Sequence, residues 1–241
     1  MNDANILVER HPSWVEMVLN RPHRKNAVTG PLVGELRAAL RAVAEEPGTP
    51  VVVLRGASGA FCSGLDLKEF NADPQPEWVP GFQGQWAALH RDLYSFPGFI
   101  VGALEGFAIN AGAALAFACD FLVVAEDSFL HVGELRMGRQ APINIAWLYL
   151  RGGRRAITEV ALRAERIPGP DLARMGLAHA VVPGPEVLDC ARSLAARLAE
   201  ITPAAIAEMK QSLRRLEAAD GVADPFAIAL GVPGSSAREG S

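Results

Sequence analysis

At 241 residues, half of them apolar, the chain has enough material for one domain with a sizeable core. Its 23 Lys and Arg against 27 Asp and Glu leave a net charge of −4, so no nucleic-acid partner is expected. No apolar run reaches membrane-spanning length, the first residues lack a signal-peptide pattern, and Cys62, Cys119 and Cys190 have no metal-ligand spacing. The expectation is a cytoplasmic protein with free, mostly buried thiols, no metal and no membrane partner.

In chain order, 6–9 and 14–19 read as paired strands around a turn at His11-Pro12. The basic stretch 21–27 by itself reads as a solvated turn. A helix opens at Gly30-Pro31, carries Leu32, Leu36, Leu40 and Val43 on one face, and stops before Pro47-Gly48. Residues 51–54, all β-branched or Leu, fit a fully buried strand, followed by a loop with Gly56, Gly59 and Gly64. Residues 71–85 lack periodicity and predict a mobile loop beside the site, before a helix over 86–94.

Phe99-Ile100-Val101 then starts a strand that runs into almost nothing but small residues, from Gly102 to Ala116, and turns helical over Ala111–Ala118. Small residues let two backbones approach, and a bare helix N-terminus leaves N–H groups free for a developing negative oxygen. Tight helix–strand packing accounts for the same stretch equally well. Further on, 121–125 and 180–182 read as strands, with a short extended piece at Phe129-Leu130. Helices are predicted over 143–150, 154–163, 171–175 and 186–201. A last helix opens at Pro203 with a stripe of Ile206, Met209, Leu213 and Leu216, and the tail from Gly231 reads as loose. Strand–strand–helix repeats predict an α/β fold with a coiled or spiral sheet.

Ala60-Phe61-Cys62-Ser63-Gly64-Leu65-Asp66-Leu67-Lys68 resembles the first signature loop of the enoyl-CoA hydratase/isomerase family, the crotonase superfamily. The stretch from Gly106 to Ala114, followed by Cys119-Asp120, resembles the second, and Arg24-Lys25-Asn26-Ala27 resembles the family's N-terminal loop. Residues 163–182 resemble the passage from the core to the C-terminal helices. The resemblance implies a one-domain spiral of ββα units over 1–185, with a C-terminal helical region over 186–241 that looks short of the family's final helix. It also implies assembly as a homotrimer or hexamer.

Family members bind an acyl-CoA thioester, with coenzyme A as part of the substrate and no further cofactor, and hold the enolate oxygen on two backbone N–H groups. Carried over, those donors are Leu65 and Ala111, with Gly64 and Gly112 beside them. Arg24, Lys25, Ala27, Asp66 and Lys68 fall at positions that face the CoA portion, although exposed Lys and Arg are commonly just solvated and Asp66 also fits a turn residue ordering its own loop. Of the two glutamates of the family's hydratases, the first position here is Ala114. The second matches Glu134 when aligned backwards from Gly138, whereas alignment forwards from Phe129 lands on Gly133; an exposed surface carboxylate is the plain alternative. His131 is a reserve candidate, with a structural role the simpler reading. One carboxylate over an oxyanion hole favours enoyl-CoA double-bond isomerisation. A hydratase that recruits a second, unrecognised group and a non-catalytic acyl-CoA binder are the alternatives.

Overall fold

The computed structural model describes residues 4–48, 50–219 and 224–232. Its strands are β1 (Ile6–Arg10), β2 (Val15–Leu19), β3 (Val51–Gly56), β4 (Phe99–Leu104), β5 (Phe107–Ile109), β6 (Phe121–Ala125), β7 (Phe129–His131), β8 (Arg166–Pro168) and β9 (Ala180–Val182). The helices are α1 (Gly30–Ala44), α2 (Leu67–Phe70), α3 (Phe82–Ser95), α4 (Ala111–Ala118), α5 (Pro142–Ile157), α6 (Gly169–Arg174), α7 (Val187–Leu198), α8 (Pro203–Ala219) and α9 (Pro225–Ala229).

A six-stranded sheet in the order β1-β2-β3-β4-β6-β9 is parallel except for the β1–β2 hairpin. Alternation along its strands sends Val51, Val53, Val101, Ala103, Val123 and Ala125 to one face, where α7 covers them with Val187, Ala191, Leu194, Ala195 and Leu198. Val52, Leu54, Ile100, Leu104, Leu122 and Val124 point the other way, into the main core with α1, α3, α4 and α5. A second sheet, β5-β7-β8, carries the chain from β4 into α4, and the functional loops gather where the two sheets meet. Gly106, at φ +60°, makes that passage; a Cβ there would sit 2.5 Å from the Gly59 carbonyl oxygen.

The structure departs from the expected elements at identifiable points. α3 begins at Phe82, inside the segment read as loop, because Phe70, Trp78, Phe82 and Trp86 pack ring against ring and hold the helix start. The helices expected over 143–150 and 154–163 are one run with a break at Gly152-Gly153, continued by a wider π-helical turn over Thr158–Leu162. In α8 only Ile206 of the expected stripe is buried; Met209, Leu213 and Leu216 are 73, 55 and 67 % exposed. This helix docks through polar groups instead, with Lys210 on Asp120 at 2.9 Å, Arg214 on the Tyr94 carbonyl at 2.9 Å, and Glu217 accepting from the Tyr94 hydroxyl. The tail read as loose lies, beyond Val232, outside the described residues.

Candidate active site

The two Gly-rich loops are stitched to each other by backbone hydrogen bonds. Phe61 N–H donates to the Glu105 carbonyl (3.0 Å), Cys62 N–H to Phe107 (3.1 Å) and Ile109 N–H to Cys62 (3.0 Å). Gly112 sits so close that a Cβ there would lie 2.4 Å from the Cys62 carbonyl oxygen. The first loop is also tied to the N-terminal one, with Val28 N–H on Gly64 (2.7 Å), Asp66 N–H on Val28 (2.9 Å) and Ser63 N–H on Lys25 (3.0 Å). Among the amides this stitching leaves unbonded, one lies in each Gly-rich loop. Leu65 N–H and Ala111 N–H meet no acceptor among the described residues, and Ala111, as the first residue of α4, has none to expect within the helix. Both residues line one cavity of about 270 Å³, together with Ala114, Glu134, Asn144, Trp86 and others.

The Ala111 amide is aimed by its neighbour. Asn110 adopts φ +51°, ψ −107°, a conformation that external bonds must hold. Its N–H donates to the His131 carbonyl (2.7 Å), its Oδ1 accepts from Gly133 N–H (2.8 Å), and its carbonyl accepts from Asn144 Nδ2 (3.2 Å). Because a trans peptide is planar, fixing the Asn110 carbonyl fixes the Ala111 N–H in the opposite direction. Asn144, 3 % exposed in the first turn of α5, donates from the same Nδ2 to Glu134 Oε1 (3.2 Å). One buried amide therefore links the free N–H at α4 to the carboxylate.

Glu134 is half-buried, and that burial pushes its carboxyl above its ordinary pKa, with its own backbone N–H and the Asn144 amide pulling the other way. Glu134 Oε2 and Asn144 Oδ1 are buried without a hydrogen-bond donor from another described residue. The shifted register is thereby placed: Glu134 lines the cavity, while Gly133 serves Asn110. His131 packs its ring against Gly133, has Nε2 3.3 Å from the Ala164 carbonyl, and is not among the cavity-lining residues. Nothing singled out Asn144 in the sequence, where it reads as an ordinary polar residue behind Pro142.

The basic loop is not the solvated turn its composition suggests. Arg21, 7 % exposed, donates to the Ala27 carbonyl (2.8 Å), to Asp66 (3.1 Å) and to Glu69. Arg24 grips the same Asp66 carboxylate through Nε (3.1 Å) and Nη2 (2.7 Å). Asp66, 2 % exposed, also caps α2 through Glu69 N–H, and these bonds, Arg24's foremost, hold its carboxyl far below the usual range despite burial. Asp66, Arg24 and the Ala27 carbonyl thus tie one another's loops together. Lys25 and Lys68 are exposed and have no ion pair among the described residues. Cys62 and Cys119 are buried and their thiols are pushed up to about 12, while Cys190 is half-buried.

The family model for enoyl-CoA hydratase/isomerase matches residues 9–224. The chain belongs to the enoyl-CoA hydratase/isomerase family. Among its relatives, 2,3-dehydroadipyl-CoA hydratase of Escherichia coli is 28 % identical over 214 residues, covering 88 % of this chain and 82 % of that one. A Mycobacterium tuberculosis protein named a probable enoyl-CoA hydratase is 32 % identical over 198 residues, or 81 % and 76 % of the two chains. The structure of an enoyl-CoA hydratase/isomerase from Xanthobacter autotrophicus superposes with a TM-score of 0.82 at 28 % identity, covering 97 % of this chain and 88 % of the other. A Thermobifida fusca relative solved in complex with CoA gives 0.77 at 25 % identity over 95 % and 90 %. The expected spiral α/β fold is the one these relatives share, and the chain is an enzyme of the hydratase/isomerase type acting on acyl-CoA. No helix among the described residues is long and apolar enough to cross a membrane.

Proposed function

We propose that the chain moves a proton at the carbon beside an enoyl-CoA thioester, with Glu134 as the acid/base and the amides of Leu65 and Ala111 receiving the enolate oxygen. The observation that carries this reading is the sharing of one cavity by two unbonded amides and one half-buried carboxylate. Each amide offers a fixed dipole where negative charge develops, and one such donor is typically worth about 3 kcal/mol of transition-state stabilisation. A carboxylate with a raised pKa is a stronger base than an ordinary one and takes a proton from carbon more readily, which suits it to the first half of a proton shuttle. With Ala114 where the resemblance implies a second glutamate, the least that this site performs is double-bond isomerisation; hydration needs a further group to hold water.

Lys25 and Lys68, exposed beside the two bonded loops, are the cations we assign to the phosphates of CoA. Gly64, at φ +96°, and Gly112 keep the loops close enough for both amides to serve one oxygen. The apolar stripe left bare on α8 supports assembly into the trimer or hexamer expected from the resemblance, since a helix that docks by its polar face leaves its apolar face to another surface.

Glu134→Gln tests the acid/base assignment. The variant keeps the shape and the Asn144 bond, so it is expected to bind CoA esters by calorimetry while losing roughly 100-fold or more in turnover of 3-enoyl-CoA. Undiminished turnover removes Glu134 from the reaction. Tight ester binding by the unaltered chain, with no ester converted, makes it an acyl-CoA binder instead.

A further inference from the structure

We propose that Asn144 Oδ1 and Glu134 Oε2 together hold the water that adds across a 2-enoyl thioester, so that Asn144 supplies the acceptor missing at Ala114 and the site hydrates its substrate. The inference rests on the reading of Glu134 as acid/base and of the two free amides as the enolate's hydrogen-bond donors.

The geometry fixes what Asn144 can offer. Its Nδ2 faces two acceptors, the Asn110 carbonyl and Glu134 Oε1, each at 3.2 Å. Turning the amide over would set its oxygen against both of them, so the orientation is determined by its partners. Oδ1 is left as a buried acceptor without a donor among the described residues, and so is Glu134 Oε2. The two atoms belong to side chains already bonded to each other, and both residues line the same cavity as Leu65, Ala111 and Ala114. Buried polar atoms are ordinarily paired, and two unpartnered acceptors on hydrogen-bonded side chains call for a ligand with two hydrogens to give. A water is the smallest such ligand: it can donate one hydrogen to each oxygen and keep a lone pair free for attack.

The addition then balances. The water oxygen bonds the β-carbon, the C=C π pair becomes the double bond between the α-carbon and the thioester carbon, the C=O π pair moves to the thioester oxygen, and the Leu65 and Ala111 amides receive that charge. One water proton passes to Glu134 and from there to the α-carbon as the enolate collapses. Only water has been added. Asn144 gives up no proton; it holds the nucleophile, and through its other bonds it positions Glu134 and the Ala111 amide. Exchange of an α-proton with solvent needs the carboxylate and the amides but no attacking water, so it serves as the reference reaction.

The test compares the unaltered chain, Glu134→Gln, Asn144→Leu and Asn144→Asp. Hydration of short, medium and long 2-enoyl-CoA esters is read as the gain of one water in mass. Exchange is read as deuterium uptake at the α-carbon of the matching saturated esters. The unaltered chain is expected to do both. Asn144→Leu, which is near in shape but has no acceptor, should lower the hydration-to-exchange ratio roughly tenfold or more, the share of a hydrogen bond to the nucleophile. Asn144→Asp keeps an acceptor there and should hold the ratio near its original value even where both rates fall. A ratio unchanged in Asn144→Leu, or an unaltered chain that exchanges α-protons and adds no water, overturns the proposal and leaves the Glu134 reading standing. Exchange that survives in Glu134→Gln, or is absent in the unaltered chain, overturns the Glu134 reading and the proposal with it.

Discussion

Gly112→Ala is the smallest change that asks whether contact between the two loops sets the chemistry. In an isolated helix the substitution helps, by about 1 kcal/mol, since alanine loses less backbone entropy. Here the added Cβ lands 2.4 Å from the Cys62 carbonyl oxygen and 2.8 Å from the Cys62 Cβ, about 1 Å inside ordinary contact. Neither neighbour is the far end of a flexible chain. The Cys62 carbonyl is fixed by Ile109 N–H, and Cys62 N–H by the Phe107 carbonyl, so relief requires the loops to separate. Overpacking of this kind costs about 1–3 kcal/mol, which exceeds or cancels the helix gain, and denaturant titration should show a net loss of up to about 2 kcal/mol. Activity should suffer far more. The Leu65 and Ala111 amides ride on the two loops, and a displacement of about 1 Å in a catalytic group typically costs roughly 100-fold in rate. Because those amides act mainly on the transition state, kcat should fall with little change in KM. A stably folded Gly112→Ala with undiminished kcat refutes the reasoning, since the amides would then not depend on the approach of Gly112 to Cys62.

Three further outcomes are expected. Burial raises the Glu134 pKa, so the folded state holds that proton more tightly than the unfolded one and stability falls as pH rises through the interval between the two pKa values. Glu134→Gln should therefore melt higher than the unaltered chain at neutral pH, with the advantage fading below about pH 4, near the unfolded value; an advantage constant with pH contradicts the shift. Asp66→Ala removes the carboxylate that Arg21 and Arg24 share, and breaking a buried pair this way should cost about 3–5 kcal/mol at neutral pH by denaturant titration. Since the Asp66 pKa is lowered on folding, that contribution is present above the unfolded value and lost as pH falls through the folded one, so the gap between variant and unaltered chain should narrow only below about pH 4. Finally, Met209→Glu with Leu213→Glu should reduce the mass seen by light scattering if the α8 stripe is an assembly surface, and an unchanged mass counts against it.

What could be read without coordinates follows from how local the signal is. The two loops were legible because their backbones approach closely, which demands Gly and Ala at set positions next to a strand, as at Gly64, Gly106 and Gly112. The parallel strands announced themselves as β-branched runs. Glu134 was legible only through a register that could have slipped by one residue, and coordinates add that its side chain lines the cavity. Partnerships across long stretches of chain left no trace. Arg21 and Asp66 are 45 residues apart, so a loop of solvated charges and a buried ion-pair staple have the same sequence. The α8 stripe could not show which of its faces meets the body. Asn144 is the sharpest case. Ala114 made the site look one group short, because subtraction along the chain counts only the position where a group was expected. In space the same cavity is reached from α5, and on our proposal a neutral amide that spends its hydrogens on Asn110 and Glu134 leaves its oxygen as the kind of acceptor a second carboxylate would have offered. It does so without a second negative charge beside Glu134, and so without the like-charge repulsion that would push the carboxyl pKa higher still.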